Sequence, residues 1–155
     1  MEIILTNEQF RTLVRLLYLG EWVANSFRLQ DESLKEYADL EQCILDIAEK
    51  KGFAELVGYE KGLKAVFPTR ELEEEMDRLI DEYDIFTFWD KLADWMAARD
   101  FRRDFGPEAK ASMDDWKRVS EISRRSEAYE KEFEKHGLDR LEIVRKKGGS
   151  REKNR

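Results

Sequence analysis

One cysteine, one histidine and two prolines in 155 residues set the first limits on this chain. The lone Cys43 excludes an intramolecular disulfide and any structural zinc cluster built from several thiolates. His136 stands alone and there is no G-x-S-x-G run, so the parts of a Ser-His-Asp triad are missing. The position three before His136 is Phe133, so the Glu-x-x-His pairs of a carboxylate-bridged di-iron bundle are missing as well. Gly58 and Gly62 do not extend into the G-x-x-x-x-G-K-[ST] loop that cradles phosphates. The most apolar window, Leu13 to Ala24, is interrupted by Arg15 and Glu21 and is too short for a bilayer. MEIILTNEQF lacks the basic start and apolar core of a signal peptide. The expectation is a cytoplasmic protein with no cofactor and no membrane association.

Charge is what the chain has in plenty, at 41% of residues, with a net of −7. That makes it an acidic protein, but the charge is uneven. From Arg140 onward, seven basic residues stand against Glu142 and Glu152, a net of +5 that leaves −12 for the rest. An acidic body repels nucleic acid at long range. A nucleic-acid role would therefore rest on the C-terminal tail alone, where no aromatic residue follows Phe133 to stack on bases.

Apolar residues recur at helical spacing. Thr6 with Gln9 is a capping-box pattern that starts a first helix near Asn7 and carries it to Leu29. Its broad apolar face is Phe10, Leu13, Leu16, Leu17, Gly20, Val23, Ala24 and Phe27, with Tyr18, Leu19 and Trp22 on the other side. A second helix runs from Leu34 to Glu49, and Gly52 after two lysines stops it. Its expected inward residues include Tyr37, Leu40, Ile44 and Leu45, with Cys43 flanking the core. Residues 53–67 read as a short helical turn and a loop. A third helix opens at Pro68-Thr69 and ends in a kink at Asp84–Phe86. Thr87 with Asp90 then caps a fourth helix with Phe88, Trp89, Leu92, Trp95 and Met96 on one face, closed by Gly106-Pro107. Ser112 caps a fifth, Met113 to His136, with a stripe of Trp116, Val119, Ile122, Tyr129 and Phe133. The expected fold is all-α: a single-domain bundle of about five helices over residues 1–144, then a flexible, disordered basic tail over 145–155.

Three surfaces stand out. Trp95, Arg99, Arg102 and Arg103 continue one line of the fourth helix and make a candidate site for an anion or an acidic partner, with Arg99 over the Trp95 indole. Tyr18, Leu19 and Trp22 lie outside the main face of the first helix and make a candidate self-association face, hence a homodimer. Glu74, Asp77 and Asp81 form an acidic line suited to a basic partner, screened by salt. The expected function is protein–protein interaction or regulation with self-association and no evident enzymatic chemistry, the partner being unknown. The alternatives are a nucleic-acid-associated protein using the tail and a Mg²⁺-dependent nucleotide hydrolase. For the latter, Asp46 with Glu49 and Glu74 with Asp77 are acidic pairs at i, i+3 spacing. The pairs loosely resemble those of the all-α nucleotide pyrophosphohydrolases, E-x-x-E and E-x-x-D. The chain departs from that pattern in that the first pair begins with Asp46, and Glu74 and Asp77 point away from the expected core face.

Overall fold

The computed structural model describes residues 2–143, with the backbone alone described for 107–112. The chain is predominantly helical, with four helices and one small sheet among these residues, in the order α1 (Asn7–Asn25), α2 (Lys35–Lys50), β1 (Val57–Glu60), β2 (Ala65–Pro68), α3 (Arg70–Ser112) and α4 (Asp115–His136). It divides into two compact units, Met1–Asp84 and Ile85–Arg155.

In unit one, α1 begins with the expected reciprocal cap: Thr6 Oγ1 accepts from Gln9 N–H and Gln9 Oε1 accepts from Thr6 N–H. It ends four residues earlier than Leu29. The Asn25 side chain turns across the following loop, accepting from Leu34 N–H at 2.8 Å and donating to Leu34 C=O at 3.3 Å. The core joins Val14 of α1, Leu45 and Ala48 of α2, Phe53 and Leu56 of the connection, Val57 and Val66 of the strands, and Leu72 and Met76 of α3. Phe10, Tyr18 and Leu19 pack on its edge. The expected face is kept at Phe10 and in part at Leu13 and Leu17, but not at three of its residues. Leu16 and Val23, placed inside by their periodicity, are each 60% exposed, and Phe27 is 75% exposed. The inner ridge is Phe10–Val14–Tyr18, an i, i+4, i+8 row, flanked by arginines that reach neighbouring elements. Arg11 Nε donates to Glu55 at 2.9 Å and Arg15 Nε to Glu75 at 2.9 Å.

α2 buries Leu45 and Ala48, which leaves Tyr37, Leu40 and Cys43 exposed rather than inward. It stops as expected. Gly52 takes φ +79°, and the N–H groups of Lys51, Gly52 and Phe53 return to carbonyls of the last turn. Residues 53–67 differ from the expected turn and loop. Val57–Glu60 and Ala65–Pro68 pair antiparallel, with Val57 opposite Pro68 and Tyr59 opposite Val66. Val57 and Val66 turn to the core while Phe67 is exposed, the period-two alternation of a half-buried ribbon. The hairpin packs on α2, as α1 does.

The expected third and fourth helices are one. Nothing at Asp84–Phe86 interrupts the hydrogen-bond ladder, because the segment has neither proline nor glycine. The single non-helical residue inside α3 is Gly106, at φ 65° and ψ −179°. That conformation suits glycine, so the break falls at Gly106, the expected end of the fourth helix, and not at Asp84–Phe86. The helix count is therefore four, not five. At the other end, Thr69 Oγ1 accepts from Leu72 N–H and donates to Glu55 C=O.

Unit two contains the later part of α3 and α4. Asp114, rather than Ser112, caps α4 by accepting from Lys117 N–H, and Gly137 at φ 56° ends it. The residues buried on α3 here are Ala93, Ala97 and Phe101, an i, i+4, i+8 line. On α4 they are Ser126 and Phe133, while Trp116 is 80% exposed. The expected stripes put large side chains inside; that holds for Phe133, but alanine and serine take the positions expected of Trp95 and Trp116, with Phe101 buried beside them. Residues 144–155, and so the expected tail from 145, lie outside the described residues.

Candidate interaction surfaces

The seam of unit two is edged by charged groups that bond across from α3 to α4. Asp94 Oδ1 accepts from Ser126 Oγ at 2.9 Å, and Asp104 Oδ2 accepts from Arg125 Nη1 at 2.6 Å. Asp100 accepts from Arg99 Nε at 2.8 Å and from the Tyr129 hydroxyl, and Arg99 Nη2 donates to the same hydroxyl at 3.3 Å. These bonds, the one from Arg99 foremost, hold Asp100 below the usual carboxylate range. Burial, followed by the bond to Asp100, raises Tyr129. Arg99 is therefore not stacked on Trp95. A charge-assisted hydrogen bond contributes about 1.5–3 kcal/mol against about 0.5–1 for an exposed cation–π contact, and Asp100 is the next residue in the chain.

With three aspartates of α3 bonded to α4, the opposite side of α3 in this unit is left apolar and basic. Trp95 is 68% exposed and Phe88 50% exposed, each about half a turn from the buried alanines. Arg102 and Arg103 are exposed on the same outer half, and Arg103 Nη1 stands 3.7 Å from Asp100. So Trp95, Arg102 and Arg103 stand on the outer half of this helix, while the Arg99 guanidinium is bonded to Asp100 and Tyr129. That half is a helix face rather than a cleft.

In unit one, Glu74, Asp77 and Asp81 are exposed along α3. Glu74 is held by Arg70 Nε at 2.7 Å, an exposed i, i+4 pair of small net worth. Tyr18 and Leu19 are half-buried against the core and Trp22 is half-buried beside them, so this side of α1 faces inward. The fold brings two of the expected groups together. Tyr18 is raised by burial first and then by the charges of Asp77, Glu73, Glu41 and Glu21. Carboxylates of α1, α2 and α3 thus meet around one half-buried phenol. Among them Glu41 is pushed up to about 7, by burial and then by Glu21. The sequence reading missed Glu41, although its place one turn from Leu45 on an amphipathic helix is a signal for partial burial. These acids do not gather into a metal site. Among the described residues no three Asp, Glu, His or Cys side chains are placed to hold a metal ion, and so Asp46, Glu49, Glu74 and Asp77 are not brought together as one.

A second surface missed in the sequence is an open apolar groove of about 890 Å³ in unit one, with Ile4, Leu5, Phe10, Leu16 and Ile44 on its walls. Ile4 is 89% exposed. The apolar lead-in MEIIL was its signal. No described helix is long and apolar enough to cross a membrane. No family model matches the chain, and no curated protein or solved structure matches it.

Proposed function

We propose that this is a small helical protein–protein interaction or regulatory protein that self-associates, the Trp95 face of one copy docking on the acidic α3 line of another. The observation that carries the reading is the outer face of α3 in unit two, where a Trp95 that is 68% exposed stands on the same half as the exposed Arg102 and Arg103, while Asp94, Asp100 and Asp104 are bonded to side chains of α4. A large exposed aromatic flanked by arginine is the composition of an interface centre. The complementary surface is on the same chain: Glu74, Asp77 and Asp81 are exposed in unit one. Arg102 and Glu74 are both exposed. Two helices from separate copies running antiparallel would set one against the other, while Arg99 keeps its bonds to Asp100 and Tyr129. Acid-to-base pairing of this kind sets register and accelerates encounter.

Light scattering over a range of concentrations tests the reading. The expected mass rises above the 18.5 kDa of one chain at low salt and falls back as salt screens the contact. A mass of one chain at every concentration and salt would count against self-association.

A further inference from the structure

Unit two holds a groove of about 780 Å³ lined by Phe86, Trp89, Asp90, Glu130, Phe133 and Glu134. Three of these are aromatic and three are carboxylates, and none is basic. Trp89 of α3 and Phe133 of α4 form the floor, with ring centroids 5.4 Å apart and planes tilted by 39°. Phe86, one turn before Trp89, is 69% exposed at the edge. Asp90 stands on one wall, while Glu130 and Glu134 stand one turn apart on the other.

Elsewhere the chain places its own arginines over its rings. Arg11 lies 5.0 Å from the Phe53 centroid, Arg28 4.9 Å from Phe27 and Arg125 5.6 Å from Phe105. Among the described residues no lysine or arginine takes that position over Phe86, Trp89 or Phe133. Asp90 has Lys91 at 3.4 Å, an exposed neighbour in sequence. Glu130 and Glu134 are like charges at i, i+4, which repel one another on a helix surface. Negative ring faces below carboxylates attract a cation that also carries apolar surface. The volume falls in the range of small-molecule sites.

We infer that this groove binds an organic ammonium group, the trimethylammonium of a small amine or of a methylated lysine. The ring surfaces of exposed Phe86 and half-buried Trp89 take the methyl groups, with Phe133 buried beneath them, and the carboxylates balance the charge without a direct hydrogen bond. The site is separate from the Trp95 face, so it stands or falls independently of self-association.

The test is an NMR titration of the full chain, following the assigned Trp89 indole N–H, with choline and with its neutral isostere 3,3-dimethylbutanol. The expected result is saturable binding of choline about tenfold tighter than the isostere, the scale of one exposed cation–π site with nearby carboxylates. Glu130→Gln with Glu134→Gln should weaken choline severalfold and leave the isostere unchanged. Both positions are exposed, so the double variant keeps its fold. Equal affinity for the two probes, no saturable shift with either, or indifference to the double variant would overturn the site. A short peptide carrying trimethyllysine, run beside choline, identifies the source of the ammonium by which of the two binds more tightly.

Discussion

The two units are held together by different chemistry. Unit one gathers large aliphatic and aromatic side chains from α1, α2, the hairpin and α3 around Leu72 and Met76, which are 1% and 0% exposed. Unit two buries two alanines, a serine and two phenylalanines, and surrounds them with Asp94, Asp100, Asp104, Arg125 and Tyr129 bonded to one another or to Arg99 and Ser126. The first depends on area removed from water, the second on a smaller buried seam edged by polar groups that bond from α3 to α4. The difference bears on the surfaces. A helix whose aspartates bond toward α4 has aromatic and basic residues left for its outer side.

The contrast should appear first in core substitutions. Leu72→Ala or Met76→Ala removes fully buried volume from unit one and should cost about 2–5 kcal/mol in urea denaturation. In unit two, Ala97→Leu forces a larger side chain into a seam where Ala97 is fully buried and should cost about 1–3 kcal/mol. Tyr129→Phe deletes the hydroxyl shared by Asp100 and Arg99 and should cost about 1–2 kcal/mol, because Asp100 keeps Arg99. A loss in unit two as large as that for Leu72→Ala would erase the contrast.

Carboxylates shifted in opposite directions should show in the pH response, and unit one itself has both a raised Glu41 and a Glu55 lowered by a backbone hydrogen bond and then by Arg11. Glu41 is raised to about 7 in the folded state, so between its ordinary value of 4.5 and about 7 the folded chain holds a proton that the unfolded chain has lost. Stability from this group therefore falls as pH rises through that window. Glu41→Gln should stabilise unit one at pH 8 by about 1 kcal/mol, the full shift being discounted because the group is only half-buried. Asp100 and Glu121 in unit two are lowered, by Arg99 and Arg124 respectively, so their contribution is present at neutral pH and is lost as pH falls below the ordinary carboxylate range. Hydrogen exchange resolved by residue, followed from pH 8 to 3, would show both directions. The smallest effect on stability is expected of Trp95→Ala, within about 0.5 kcal/mol, because the indole is mostly in water. The same change should weaken self-association.

Much of this was legible because local chemistry decided it. The Thr6–Gln9 cap, the stop at Gly52 and the positions of the helices follow from residues that act within one turn. The hairpin was not legible, since each strand is four residues long and only Val57 and Val66 are buried in them. The orientation of α1 misled because it is apolar on two sides, and tertiary packing chose the ridge through Val14. In unit two, large aromatics drew attention to the wrong side of α3. The usable signal was the pair Ala93 and Ala97 with aspartates on the same side, facing a helix that carries Arg125, Ser126 and Tyr129. The acidic, basic and aromatic candidates were all visible in sequence. That Tyr18 meets Asp77 is a property of the fold.

The proposed docking of one copy on another is tested most directly by exchanging the charges at positions exposed in each unit. Arg102→Glu makes one variant, and Glu74→Lys the other, the two positions that the antiparallel register sets against each other. Sedimentation equilibrium should find each variant reduced to single chains and an equimolar mixture restored to the mass of the wild type at the same concentration and salt. Wild-type assembly that survives either exchange, or a mixture that stays as single chains, would contradict it.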